Sequence, residues 1–342
     1  MMNTGLRTHG SRPGERALAR LFDVALLDLD GVVYRGQAAV DGAVAALADA
    51  RAAGLRLAFV TNNASRSPSA IAAQLSSLGV PATSSDVVTS AQAAATLIAE
   101  RVPPGSPVLV AGGMGLRLAL HERGLRPVST AAQRPVAVVQ GYSPDLTYGL
   151  LVEAALAVRD GAWFVASNDD LTLPGPRGPQ PGNGSLLQVV ITATGQRPEV
   201  AGKPEPPLHA EAVARTGARR PLVVGDRLET DIEGAVRAGA DSMLVLTGVS
   251  TAVDAVLAPP ARRPTYVAAD LFGLVEEQVP VGATACGGWT AERDNGALKL
   301  AGDGSWIDAV RSLCGAAWSA GWSGAPVTRE SAESVLAVLG RL

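Results

Sequence analysis

Phe22-Asp23-Val24-Ala25-Leu26-Leu27-Asp28-Leu29-Asp30-Gly31-Val32-Val33-Tyr34 is the stretch from which the rest of the chain is read. Its first six residues form a short apolar run with the length and bulk of a buried strand in a parallel sheet. The run ends in acid. Side chains two apart on an extended backbone project to the same side, so Asp28 and Asp30 are expected to point into one crevice. Gly31 lets the chain turn away without steric cost. A carboxylate pair at a strand's carboxyl end suits two jobs, holding a hard cation through oxygen and supplying a nucleophile beside a general acid/base. Alone the pattern is weak, because most such pairs are solvated turns or helix starts. Its meaning depends on what else reaches the same edge.

A helix is expected over 41–53, with Asp41 as N-cap and Gly54 as its stop. A second strand over 55–60 runs into Thr61-Asn62-Asn63. This βαβ unit has parallel strands, so Thr61 arrives at the edge that carries Asp28. Ser67-Pro68 opens the next helix, with Ile71, Leu75 and Leu78 at helical spacing. Beyond it, strands over 108–110, 136–139 and 163–166 and helices near 114–123 and 146–160 predict an independent inserted α/β layer. The segment 173–182, rich in Pro and Gly, reads as a surface loop without regular structure. The chain returns through Lys203-Pro204 to a third buried strand, Pro221-Leu222-Val223-Val224, which also ends in acid at Asp226 and Asp231. Residues 270–342 hold four of the five tryptophans, a predicted hairpin turning at Asp294-Asn295-Gly296 and an amphipathic helix over 305–317. They read as a small α/β extension with no catalytic constellation.

At 342 residues, with 47% hydrophobic and 4% aromatic residues, the chain has material for two Ala/Val/Leu cores. A net charge of −3 without basic runs argues against nucleic acid or an anionic membrane as partner. Two cysteines, Cys286 and Cys314, make no disulfide framework, and a cytoplasmic setting is the simplest. No apolar run approaches the roughly 20 residues of a membrane span. Residues 1–20 carry Arg7, Arg12, Arg16 and Arg20 without an apolar core, so they read as a disordered tail rather than a secretory signal. The expected units are this tail, a core over 21–91 and 202–269, an insert over 92–201 and the extension over 270–342. The sequence leaves a homodimer open.

These pieces suit a phosphate monoester. A carboxylate nucleophile approaching a phosphate dianion is repelled, so positive charge must intervene. Asp28, the main-chain carbonyl of Asp30, and Asp226 offer the hard oxygen set that Mg²⁺ accepts. Lys203 adds a second cation, and Asp231 is expected to orient Lys203 or a metal-bound water. Thr61 and Asn62 can cradle the phosphoryl group at a strand-to-helix turn. Asp28 is the expected nucleophile and Asp30 the acid/base. In the insert, Asn168, Asp170 and Asn183 have two readings, as substrate-facing polar groups or as residues that build turns.

Asp28-x-Asp30-Gly-x-x-Tyr34, Thr61-Asn62-Asn63, Lys203-Pro204 and Gly225-Asp226-Arg227-x-x-Thr230-Asp231 resemble the four ordered motifs of the haloacid dehalogenase superfamily of phosphatases. An insert between the second and third motifs resembles the NagD-like, 4-nitrophenylphosphatase-type branch, which includes phosphoglycolate, pyridoxal phosphate and glycerol 3-phosphate phosphatases. The likeness spans roughly 20–268. It implies a doubly wound, Rossmann-like parallel-sheet core with an α/β cap of C2 type and Mg²⁺-dependent hydrolysis through an aspartyl-phosphate. Ser167-Asn168-Asp169-Asp170 departs from the usual Thr-Asn-x-Asp of the cap.

The expected substrate is a small soluble phosphomonoester, glycerol 3-phosphate first and phosphoglycolate second, ahead of pyridoxal phosphate or nucleotides. A signalling receiver domain is about half this core's size and lacks an insert. A non-hydrolytic binding protein should have lost one of Asp28, Asp30, Lys203 or Asp226, and none is missing. A phosphomutase shares the core and remains the nearest rival.

Overall fold

A computed structural model describes residues 17–173, 175, 177–319 and 325–340. Six parallel strands make the first sheet, in the spatial order Tyr266–Ala268, Asp241–Val245, Pro221–Gly225, Val24–Leu27, Arg56–Thr61 and Val87–Thr89. Val24–Leu27 sits in the interior, with Leu27 in register with Val224 on one side and Phe59 on the other. The chain leaves this strand toward Arg56–Thr61 and later returns on its opposite flank at Pro221–Gly225. That reversal opens a crevice beyond the carboxyl ends of three neighbouring strands, and Asp28, Thr61 and Asp226 all stand there.

The helix after the first strand runs Ala43–Ala52, and its N-cap is Gly42 in a left-handed conformation with no side-chain cap. Asp41 therefore does not cap it. Ser67 caps Pro68–Ser77 as expected, its side chain accepting from the Ala70 amide at 3.2 Å.

The second sheet has five parallel strands in the order Glu199–Val200, Trp163–Ala166, Ala137–Gln140, Pro107–Ala111 and Arg126–Val128. It packs against the first. One apolar cluster joins Val24, Leu26 and Val60 of the first sheet to Val108, Val110, Val139 and Val165 of the second, through helices Ser90–Ala99, Met114–Glu122 and Pro206–Thr216. Glu211 strengthens the seam. Its buried carboxylate accepts from Thr96, Arg123 and Arg215. Burial alone would raise its pKa, but the hydrogen bonds from Arg215 and Thr96 and the two guanidinium charges hold it below the usual carboxylate value.

Three expectations need amendment. Residues 1–16 of the expected tail lie outside the described residues, but Leu18–Leu21 is helical, and Leu18 and Ala19 are buried in the first core. Their apolar side chains have a surface to cover. Thr172–Leu173 pairs antiparallel with Gln180–Pro181, so part of the segment expected to lack regular structure is paired as short strands. Leu271 and Leu274 pack in the same cluster as Leu18 and Phe59, so the first core continues beyond 269.

The extension is a three-stranded antiparallel sheet, Ala285–Cys286, Trp289–Asp294 and Ala297–Gly302, followed by helices Trp306–Trp318 and Arg329–Ala337. Asn295 and Gly296 both adopt positive φ at the hairpin turn, as two-residue hairpins require. Trp318 donates to the Val256 carbonyl at 3.1 Å, and Trp289 to Ser305 at 3.0 Å. Val310, Leu313 and Cys314 share a buried cluster with Leu228, Ile232, Leu244 and Val253 of the main body. The tryptophans found here belong to packing, and Trp322 lies outside the described residues. No described helix is long and apolar enough to cross a membrane.

Candidate active site

Lys203 stands at the centre of the crevice. It is 3% exposed, and its ammonium donates to Asp28 Oδ1 at 2.5 Å, Asp231 Oδ1 at 2.7 Å and the Val60 carbonyl at 3.1 Å. All three donors are thereby engaged. Carboxylate oxygens of Asp28, Asp226 and Asp231 lie within 4.8 Å of one another. Two buried acids and the half-buried Asp28 against one buried cation leave an excess of negative charge. Burial pushes Asp28 up to about 7, the nearby Lys203 charge acting against it and the neighbouring Asp231 adding to it. Burial pushes Asp226 up to about 8, with Asp231 and Asp28 adding their repulsion. Lys203 is held firmly protonated, because the two carboxylates outweigh its own desolvation.

Several backbone devices hold Asp226. Its Oδ2 accepts from the Val249 amide at 2.7 Å, while its Oδ1 is buried and has no partner among the described residues. A Cβ on Gly248 would lie 1.8 Å from Oδ2, so only glycine fits there. Gly31 faces the same oxygen and also turns at φ +84°, which ties the first acidic loop to the third. Asp231 follows in a π-helical turn, Leu228–Ile232, and its Oδ2 accepts from the Arg227 amide at 3.1 Å. An orphaned carboxylate oxygen inside an oxygen-rich, negatively charged pocket fits a hard divalent cation.

Asp30 is exposed at the mouth. Burial of its inner side raises its pKa, with the Arg35 charge opposing, and this favours the protonated form that a general acid needs. Tyr34 lies alongside, its phenol raised to about 12 by burial and by the charges of Asp30 and Asp28. Thr61 Oγ1 accepts from the Asn63 amide at 3.1 Å, which leaves its hydroxyl proton to donate.

The expected part of Asn62 in the phosphate cradle is its backbone N–H, and its side chain has another task. Its Oδ1 accepts from the Lys203 amide at 2.8 Å, and its Nδ2 donates to the Lys203 carbonyl at 3.1 Å and to Asp170 at 3.2 Å. The side chain is spent on fastening the lysine loop and the insert. Asn168 and Asn183 follow suit. Asn168 Nδ2 donates to the Asn62 carbonyl at 2.8 Å, and Asn183 Nδ2 to the Asn168 carbonyl at 2.6 Å, both side chains being buried. Both amide nitrogens are spent on main-chain carbonyls of other segments, while the buried Asn183 Oδ1 has no partner among the described residues. Asp170 faces Asn62 instead of open solvent. Arg66 and Gln74, which share a cavity with Asp30, carry no local mark in the sequence, one lying just before the helix Pro68–Ser77 and the other within it.

The chain matches a haloacid dehalogenase-like hydrolase family model over residues 25–126 and a HAD-hydrolase-like model over 200–274. It is 47% identical over 314 residues to a D-glycerol 3-phosphate phosphatase of Mycobacterium tuberculosis, covering 89% of this chain and 88% of the relative. The chain belongs to the haloacid dehalogenase-like hydrolase family. An acid sugar phosphatase of Staphylococcus aureus is 38% identical over 258 residues, 75% of this chain and 98% of the relative. The solved glycerol phosphate phosphatase of M. tuberculosis in complex with magnesium has TM-score 0.84 and 47% identity, covering 91% of this chain and 93% of that one. A 4-nitrophenylphosphatase of Thermotoga maritima has TM-score 0.70 and 29% identity, covering 75% and 98%. This haloacid dehalogenase-like hydrolase also matches a GCN5-related N-acetyltransferase like domain over 286–342, a likeness the sequence reading of the extension did not contain.

Proposed function

We propose that this chain hydrolyses small phosphate monoesters in the cytoplasm, with glycerol 3-phosphate as the preferred substrate. The observation that carries the chemistry is Lys203 buried between Asp28 and Asp231, beside an Asp226 oxygen that lacks a partner. The substrate reading draws on the 47% identity to the mycobacterial D-glycerol 3-phosphate phosphatase.

In this reading Asp28, Asp226 and the Asp30 carbonyl hold Mg²⁺. When bound, the ion supplies positive charge that offsets the repulsion between the nucleophile and the phosphate dianion. An Asp28 oxygen attacks phosphorus in line, and the bond from phosphorus to the ester oxygen breaks. Asp30 gives its proton to the departing alkoxide. Water then attacks phosphorus of the aspartyl-phosphate, Asp30 takes its proton, and the Asp28 carboxylate is regenerated with release of inorganic phosphate. Lys203 keeps Asp28 oriented and balances charge on the phosphoryl oxygens, with Asp231 holding Lys203 in turn. Thr61 donates to a phosphoryl oxygen.

The test is phosphate release by the wild type and by Asp28→Asn, with trapping of phosphorylated protein. The variant should release no phosphate and carry none, and sustained turnover by it excludes Asp28 as nucleophile. For the substrate, kcat/KM is compared among glycerol 3-phosphate, phosphoglycolate, pyridoxal phosphate and a nucleotide. A tenfold lead by either of the last two, about 1.4 kcal/mol of transition-state discrimination, ends the polyol reading and leaves the phosphatase reading standing.

A further inference from the structure

Beside Asp30 lies a cavity of about 580 Å³, within the roughly 300–1,000 Å³ usual for small-molecule sites. The short hairpin Tyr34–Arg35/Ala38–Ala39 and the helix Pro68–Ser77 form its walls. On the insert side, the Asn62–Asp170 and Asn168–Asn62 hydrogen bonds close core against cap. A leaving group departing toward the Asp30 carboxyl therefore has this cavity before it.

Resting on the phosphatase reading above, we infer that this cavity receives the leaving group, and that Tyr34, Asn63 and Arg66 select a compact polyol there. The Arg66 guanidinium is held in place by the Gln74 side-chain oxygen and by the Ala70 carbonyl at 3.0 Å. Gln74 in turn donates to the Gly36 carbonyl at 3.4 Å, so one amide ties the helix, the hairpin and Arg66 together. Two of the five guanidinium N–H groups are thus occupied and the rest are available. Asn63 spends its Oδ1 on Ser65 at 2.9 Å, and its amide nitrogen and the Tyr34 hydroxyl bond to no described residue.

Tyr34, Asn63 and Arg66 thus offer donors to a cavity whose remaining polar wall is Asp30, Gln37, Gln74 and Ser77. Vicinal hydroxyls accept from such donors, and the ester oxygen takes its proton from Asp30. Gln74 is a positioning residue, since it reaches a leaving group only through Arg66.

The experiment measures kcat/KM for glycerol 3-phosphate, phosphoglycolate and 4-nitrophenyl phosphate in the full-length wild type, Tyr34→Phe and Arg66→Met. The nitrophenolate group brings no hydroxyls and leaves without a proton, so it reports the phosphoryl chemistry alone. Tyr34→Phe preserves the ring's packing, and Arg66→Met preserves the stem. In each variant the ratio of glycerol 3-phosphate to 4-nitrophenyl phosphate should fall about tenfold, which corresponds to about 1.4 kcal/mol. An unchanged ratio, or a ratio that falls for phosphoglycolate and not for glycerol 3-phosphate, overturns the assignment. A wild type that hydrolyses 4-nitrophenyl phosphate but not glycerol 3-phosphate overturns the substrate reading itself.

Discussion

Lys203 and Asp231 form an ion pair 2.7 Å long in which both side chains are buried, and the same ammonium reaches Asp28 at 2.5 Å. Burying an ammonium costs several kcal/mol unless its partners are close and its protons are satisfied. Here the third proton goes to the Val60 carbonyl, and the Lys203 backbone is pinned at both its amide and its carbonyl by Asn62. The lysine is held by side chain and main chain together.

Lys203→Met should therefore lose both function and stability. Removing one partner of a buried pair leaves charge uncompensated and costs about 3–5 kcal/mol, and losing the positive charge that orients Asp28 and balances the phosphoryl group should lower kcat at least about 10²-fold. Thermal unfolding and single-substrate kinetics check this. A variant as stable as the wild type would mean that the three carboxylates are neutral in the folded protein.

Metal removal should act through pH. Asp28 and Asp226 have folded pKa values raised from 3.8 to about 7 and about 8, so the metal-free protein binds more protons folded than unfolded in this range. Their contribution to stability is present at low pH and is lost as pH rises through those folded values. Mg²⁺ binds the ionised acids, so the gap in melting temperature between Mg²⁺ and a chelator should widen from pH 5 to pH 9. A constant gap across that range contradicts the assignment. Turnover should vanish with the chelator and return with Mg²⁺.

Asn62→Asp should unfasten the insert from the core, because it sets a carboxylate where an amide now donates to Asp170 at 3.2 Å. Adding Asp170→Asn restores a donor–acceptor pair with the roles exchanged. A double-mutant cycle on melting temperature should show coupling of about 0.5–3 kcal/mol. Strict additivity of the two substitutions would dismiss the latch.

Truncation after Glu276 keeps Leu271 and Leu274 in the first core but strips Val310, Leu313 and Cys314 from a cluster that contains Leu228 and Ile232. All the proposed catalytic groups remain, so whatever folds should still form phosphorylated Asp28. The melting temperature should drop, and the exposed face around Val253 and Val256 should drive association. Light scattering and calorimetry test this, and an unchanged melting temperature would show that the extension contributes nothing to the core.

The acidic strand ends, the βαβ step to Thr61 and the lysine between insert and third strand are local patterns, because strand periodicity and strand-end chemistry are written into neighbouring residues. Ser305 as helix cap and Asn295-Gly296 as hairpin turn are legible for the same reason, since each acts within a few residues of itself. The alternatives for Asn168 and Asn183 stayed open because an amide's partner depends on which distant carbonyl the fold delivers. Arg66 and Gln74 carried no mark at all, because their setting is a hairpin some 30 residues upstream. The sequence alone determined the fold class and the acid, lysine and threonine set of this haloacid dehalogenase-like hydrolase. Only the tertiary structure decided that the Asn62 side chain is a fastener, that two sheets share one apolar seam and that a cavity lined by Tyr34, Arg66 and Gln74 lies beside Asp30. Each of these rests on contacts between segments far apart in the chain, and residue spacing carries no record of them.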